Sequence, residues 1–412
     1  MAELTTYKGV QTSGTAHVEL GRDVSPVIWH ETDSRNTPII SMLGGDLYLD
    51  GESTPKKIAP IIGKEQATEY KYEVLEKDAL TRSWTGGAAV ADTTTETVPF
   101  GSTTGMQAGM LLRKKDADSP EVIHVITVSS STSIEAKRNI GSTAYTIAGS
   151  DTWVCCGFCQ KDGGSKRGIR SVTAAARTRY LQVFRNTFGI TQQLLNSEEV
   201  VNVKAWSEEM KLAAREHNLD KEGSFWYAPY ADSTTDASGN TCYISRGLIA
   251  EITNYGTNSP NVIDCKGSID EDSFLGTISE TIFSRGASKK MLLADGRFLT
   301  KIMGFAIGKQ QLQPSMEETE YGLAIGTLVS MHGILKIMHC GVPAVYHATA
   351  EAGFGLIIDP DKLKYKYLSN MDNRYEEGIQ TPGDLVKEGQ FYSVSGLSAR
   401  NLSHHFIVKN IG

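Results

Sequence analysis

The chain has 412 residues, with 41 Lys and Arg against 48 Asp and Glu and a formal net charge of −7. That length supports two or three compact units with a sizeable core. The mildly acidic balance argues against a dedicated nucleic-acid binder, which carries a basic face or stripe. Forty glycines and frequent Ser/Thr clusters predict many turns, hence many strands.

The N-terminus, MAELTTYKGVQTSGTAHVELGRD, has no apolar core and no small-residue cleavage site, so no targeting signal is expected. Residues 26–45, PVIWHETDSRNTPIISMLGG, read as a loose arm in which Pro26 and Pro38 limit regular structure. An extended stretch, EQATEYKYEVLEKD, leads to a loop, GGAAVADTTTET. From about 107 to 157 short strands alternate with turns; one of them, around Val122–Val128, is apolar on both faces. SIEAKRNIG and TWVCCGF continue the pattern of a small β-barrel-like or sandwich module. KDGGSKRGIR is then a glycine-rich basic loop, and RTRYLQVFRNTFGITQQ is extended and aromatic.

The clearest helix follows. Ser197 precedes Glu198 and Glu199, the charges suited to a helix start. Val203, Trp206, Met210, Ala213 and His217 share one face, while Lys204, Glu208, Lys211 and Arg215 share the other. Gly223 is expected to end the span, giving a helix about 30 Å long. ADSTTDASGNT, residues 231–241, is a loop. A second helix is predicted at about 270–285: Ser268 and Glu271 form a capping box, Phe274, Leu275, Ile278 and Ile282 the buried face, and Gly286 stands at C′. KKMLLADG is a buried strand. YGLAIGTLVS and ILKIMHC flank Met331-His332-Gly333 as a hairpin. The same region, 322–342, is too broken by His332, Gly333, Lys336 and His339 for a membrane span. In DPDKLKYKYL, Lys362, Lys364 and Lys366 share one strand face, as on an exposed strand protected from stray pairing.

The search for chemistry finds near-misses. Cys156 and Cys159 have CxxC spacing, yet Cys242, Cys265 and Cys340 offer no second pair, and QKDGGSKRG is not a helix start. With reduced thiols expected in a cytosolic setting, Cys155, Cys156 and Cys159 read as thiols at a strand end. Gly304–Lys309 is a P-loop one residue short, with Gln310 in place of Ser/Thr. Gly353-Phe-Gly355 opens a dinucleotide fingerprint that Ile358 breaks. His30-Glu31 begins HExxH, but Ser34 replaces the second His. His332 and His339 lie in opposite hairpin arms and could approach; adjacent His404 and His405 face opposite ways in a strand. There is no nucleophile elbow. Lys166, Arg167 and Arg170 read as a solvated hinge, with nucleic acid or an acidic partner as the alternative. No catalytic, cofactor-binding or metal-binding residue is assigned, and no cofactor is expected.

SRNTPIISMLGG, RTRYLQVFRNTFGIT, EHNLDKEGSFWY with GNTCYISRGLIAEI, ETIFSRGASKKMLLADGRF, HGILKIMH and GLIIDPDKLKYKYL follow one another in an order that resembles tailed-phage major capsid proteins of the Hong Kong 97-type fold. That subfamily carries more regular acidic residues after its long helix; here Asp220 and Glu222 flank Lys221. The resemblance implies an α+β chain with an N-terminal arm at 1–60 and an extended loop at 61–175 carrying a small all-β insertion at about 86–160. It also implies a spine helix and peripheral domain at 176–230, an axial domain at 231–345 and closing strands at 346–412. The implied function is a non-enzymatic shell subunit that forms hexamers and pentamers around double-stranded DNA. Its partners would be its own copies, packaged DNA held by weak non-specific contact, and portal, scaffold or decoration proteins, with no membrane. Its place would be the virion, assembled in the host cytoplasm. The alternatives are a nanocompartment shell, a phage tail-tube component, or a metal-dependent enzyme built around His332, His339 and Cys340.

Overall fold

The computed structural model describes residues 37–411 except 44, 48–55, 59, 78–79, 89–94, 116–120, 139, 141–148, 165, 197–204, 256–260, 268, 310–324 and 343–352. His30, Glu31, Ser34, Ser197–Glu199 and Ser268 therefore lie outside the described residues, as does the first part of the arm. The chain forms two compact units: Leu75–Arg177, and a larger unit built from the chain on either side of it.

The smaller unit is a six-stranded antiparallel sheet in the order Ser83–Thr85, Thr152–Phe158, Met110–Lys114, Val122–Val128, Ser133–Lys137, Thr95–Pro99. It closes on itself. An antiparallel bridge joins Gly86 to Phe100, Gly87 N donates to Pro99 O at 2.9 Å and Gly101 N to Thr85 O at 3.0 Å. Gly87 eases the closure, since a Cβ there would stand a tight 3.0 Å from the Phe100 backbone. Closure removes exposed edges, so this is a small barrel. Its interior is filled by Trp84, Phe100, Met110, Leu112, Ile123 and Trp153. The strand Val122–Val128 is buried on one face only: Ile123 and Val125 point inward, while Ile126 and Val128 are exposed. The ladder to the next strand is irregular between Val125 and Thr127. The first strand after the 86–97 loop begins earlier than expected, at Thr95.

In the larger unit, Gln182–Thr191 pairs antiparallel with the strand Val386–Ala399 over ten residues, from Gln182 opposite Ser395 to Thr191 opposite Val386. Leu363–Leu368 lies on the other side of Val386–Ala399, and Gly63–Ala67 adds in parallel beyond it. Leu363–Leu368 is thus an interior strand, not the exposed one its lysines suggested. The lysine face is matched by the neighbouring strand: Glu65 meets Lys366 at 3.2 Å and Arg400 at 2.6 Å. A second, six-stranded sheet runs Val262–Asp264, Phe406–Lys409, Gly355–Ile358, Lys289–Ala294, Ile334–His339, Ile325–Val329. The expected hairpin is there, with Ile325–Val329 antiparallel to Ile334–His339. Met291 and Leu293 on one face of Lys289–Ala294 join a core with Ile39, Phe225 and Trp226, while Leu292 and Ala294 on the other pack with Phe274 and Phe298.

Three helical readings change. The long helix runs Ala205–Tyr227, through Gly223, because Glu222, Phe225 and Trp226 are all buried on its last turns and hold it past the glycine. The second helix is a wide-turned segment, Ser273–Ile278, continuing into Ser279–Phe283; Asp270 Oδ1 accepts from Ser273 N at 2.8 Å, and Gly286 adopts φ +87°. The near-P-loop Gly304–Lys309 is part of an unforeseen helix, Gly296–Lys309, started by Asp295, whose carboxylate accepts from Phe298 N at 2.8 Å. Pro38 does not block structure either. It opens a short helix, Pro38–Ser41, at the one position where its missing N–H costs nothing. The 231–241 loop forms a small hairpin, Ser233–Thr235 with Thr241–Tyr243.

Candidate functional site at the spine helix

The long helix is fastened to three other segments by polar side chains on its C-terminal half. His217 sits beneath it, 2% exposed, with Nδ1 2.8 Å from Asn186 Oδ1 and Nε2 3.0 Å from Ser393 Oγ. Those partners lie on the two long paired strands. Burial, with the nearby Lys221 charge, pushes the imidazole down to about 4, so the ring is neutral at ordinary pH. Asn186 Nδ2 in turn donates to Asp220 Oδ2 at 2.6 Å. Lys221, also buried and pushed down to about 8 by desolvation, donates to Asn373 Oδ1 in the 370–373 turn. There Asp372 accepts from Tyr365 Oη at 2.8 Å and from Lys64 Nζ at 3.2 Å.

Glu222 holds the arm. Its Oε1 accepts from Ile39 N at 2.8 Å and from Trp226 Nε1 at 2.8 Å, and its Oε2 accepts from Ile40 N at 2.9 Å. Ile39 and Ile40 stand at the start of Pro38–Ser41, where backbone N–H groups have no partner within the helix. The carboxylate supplies one, and Ile39, Met42 and Ile62 pack into the main core around it. Burial raises its pKa to about 7, against the pull of those three donors and Lys221. The run Asp220-Lys221-Glu222 is therefore a set of three fasteners: one to the long strands, one to the 370–373 turn, one to the arm.

The chain leaves the helix tightly. Gly247 N donates to Ala228 O at 3.1 Å, and a Cβ at Gly247 would stand 2.6 Å from Ala228 N and 2.7 Å from Trp226 O. Only glycine fits that crossing.

The other candidate residues do not converge. His332 is in the hairpin turn and His339 at the far end of its second arm, about 20 Å of strand away. His339 pairs beside Ala294, and Cys340 is buried with N donating to Ala294 O at 2.8 Å. His404 ends a short helical turn, Leu402–His404, and His405 follows it, so the two are not consecutive strand residues. His405 is fully buried and, for that reason first, pushed down to about 4. Cys155 points into the barrel, whereas Cys156 and Cys159 are exposed, with the ladder shift between Cys155 and Gly157 parting them. Gly353 adopts φ +95° and donates its N–H to Asp295 Oδ2 at 2.8 Å, an anchor rather than a phosphate cradle. Among the described residues no group of three or more His, Cys, Asp or Glu could hold a metal ion, and no helix is long and apolar enough to cross a membrane. Sequence reasoning passed over Glu222 as an anchor. Its signal was present: a carboxylate four residues before a tryptophan, within an apolar turn.

A protein-family model described as SU10 major capsid protein matches residues 5–412. The chain belongs to the SU10 major capsid protein family. It is a structural, non-enzymatic subunit of a phage head that assembles with its own copies and belongs in the virion. The helix Ala205–Tyr227 on the sheet of Gln182–Thr191 and Val386–Ala399, a separate six-stranded sheet and the segment Pro38–Ser41 tied to the helix make it an α+β chain. No curated protein matches the sequence. Among solved structures, the chain is similar to the capsid of a native GTA particle at 9% identity and TM-score 0.47, over 97% of this chain and 98% of that one. It is similar to a protein of Mycobacterium phage Adephagia at 9% identity and TM-score 0.44, over 98% of each chain. It is similar to a holo-SrpI encapsulin complex from Synechococcus elongatus at 8% identity and TM-score 0.41, over 58% of this chain and 78% of that one.

Proposed function

We propose that copies of this capsid subunit form hexamers and pentamers that close an icosahedral shell around double-stranded DNA. The observation that carries this is the arm fastening. A segment at 37–43 is tied through Glu222 to a helix that is itself tied to the longest paired strands. Load taken by an arm lying on a neighbour passes into a rigid frame, which repeated heterologous contacts in a closed shell require. The net charge of −7 suits a container that holds DNA weakly, since dense phosphate contacts would hinder packing and release. Portal, scaffold or decoration proteins complete the assembly, in the host cytoplasm. No residue of the chain is assigned a catalytic, cofactor or metal role.

The working division of the chain is an arm at 1–60, an extended loop at 61–175, a peripheral domain at 176–230, an axial domain at 231–345 and closing strands at 346–412. The barrel is an insertion on the extended loop that braces subunit contacts. Shells of a chain lacking 105–155 that close and survive heating like the full-length ones count against the bracing role. Image averages of intact particles test the symmetry: clusters of five and six subunits are expected, and rings or open tubes without five-fold clusters overturn it.

A further inference from the structure

The basic loop remains without a role, and it is not a loose hinge. Its described residues between 159 and 170 have no helix or strand but are pinned at three places. Arg167 lies over the Phe158 ring at 4.0 Å, Gln107 Nε2 donates to Gly168 O at 3.2 Å, and Arg170 Nη2 donates to Thr81 O at 2.7 Å. Between the pinned residues Ile169 is 92% exposed. Lys166, Arg167 and Arg170 are its neighbours in sequence, with Asp162 the one acid of the stretch. A fixed backbone that presents a bare isoleucine among cations is a ridge shaped for a partner with an apolar hollow and an acidic rim.

The same chain carries such a partner surface. Val386 begins the long strand, and just before it Leu385 is 79% exposed although its backbone oxygen is fixed by Gln192 N at 3.0 Å. Gln192 opens the short helix Gln192–Leu195, whose Leu194 and Leu195 are exposed as well. Asp384, next to Leu385 in the chain, is exposed, and Glu388, three residues on, is half-buried. Lys387 is taken up by Glu377 at 2.6 Å and by the Trp206 ring at 4.2 Å.

We infer that the ridge at 166–170 of one subunit docks on the Leu194, Leu195 and Leu385 patch of a neighbouring copy, with Lys166 and Arg167 facing Asp384 and Glu388. This rests on the shell-subunit reading and names residues for one of its contacts. One interface then accounts for two apolar exposures on a protein whose task is to meet its own copies. Packaged DNA is the rival occupant of the ridge, and charge reversal separates the two.

The test is a charge swap read by sedimentation of the purified full chain. K166E/R167E is expected to lower the assembled fraction at least tenfold, with helical circular dichroism and melting temperature as in the unmodified protein. Adding D384K/E388K to that chain is expected to restore assembly, and D384K/E388K alone to lose it. Normal assembly of K166E/R167E overturns the inference. So does a four-fold variant that folds but does not recover, which is the outcome expected if the ridge faces DNA. An unmodified chain that stays unassembled with any scaffold of its own phage supplied overturns the shell reading itself, a failure visible in the reference and not in the variants.

Discussion

Glu222 accepts from three donors and ties the segment at 37–43 to the long helix. Replacing it by Ala removes the acceptor for Ile39 N, Ile40 N and Trp226 Nε1, bonds of 2.8, 2.9 and 2.8 Å. Each buried donor left without a partner costs about 1–3 kcal/mol. Relief of the carboxylate's own desolvation, which already lifts its pKa to about 7, offsets part of that sum above pH 7. A net loss of about 3–6 kcal/mol is expected for Glu222→Ala. Glu222→Gln keeps one oxygen for Ile39 and Trp226 but turns an amide N–H₂ towards Ile40 N, so about 1–3 kcal/mol is expected. Urea denaturation gives the magnitude, and hydrogen exchange at Ile39 and Ile40 gives the location. Exchange should accelerate there by far more than in the strand Gln182–Thr191. A loss under about 1 kcal/mol for Ala, or unchanged exchange at Ile39 and Ile40, refutes the latch.

Breaking the buried pair in the barrel, where Arg138 meets Glu121 at 2.8 Å with both side chains fully buried, should cost about 3–5 kcal/mol for Glu121→Ala in thermal melts of the full chain. Cys156→Ser and Cys159→Ser should change stability by less than about 0.5 kcal/mol and leave zinc content and assembly unaltered; collapse of the shell with loss of zinc would show the thiols to be ligands. Gly247→Ala should fail to accumulate as folded protein, because the added methyl meets backbone at 2.6–2.8 Å, and normal yield would contradict that crossing. The pH dependence has two opposed parts. His405 and His217 are held down to about 4 against 6.5, so the unfolded chain binds their protons first and stability falls as pH drops from 6.5 towards 4. Glu222 is held up at about 7 against 4.5, so the folded chain binds first and that group adds stability as pH falls from 7 towards 4.5. His405→Gln should flatten the acid loss and Glu222→Gln should steepen it, read as urea midpoints between pH 4.5 and 8.

The elements with strong local patterns were legible. The hairpin around Met331–Gly333, the aromatic strand at 182–191 and the amphipathic part of the long helix follow from periodicity and turn chemistry. What misled were positions where tertiary contacts outweigh local preference. Gly223 is a helix breaker in isolation, yet the burial of Phe225 and Trp226 carries the helix past it. The lysines of Leu363–Leu368 look like an exposed face until Glu65 arrives from a strand three hundred residues earlier in parallel register. Gly296–Lys309 was hidden by its glycines, although Asp295 is a sound helix cap. The i, i+4 spacing of Glu222 and Trp226 was legible, but the hold on the 37–43 segment was not, because those partners are backbone N–H groups 183 and 182 residues away, which no local pattern encodes.

The central claim is that this chain builds a closed shell from its own copies. Electron microscopy of the purified full-length protein tests it most directly, with any scaffold of its own phage supplied. Closed particles tens of nanometres across, with walls one subunit thick, are expected. Folded protein that remains in small discrete oligomers under those conditions would contradict it.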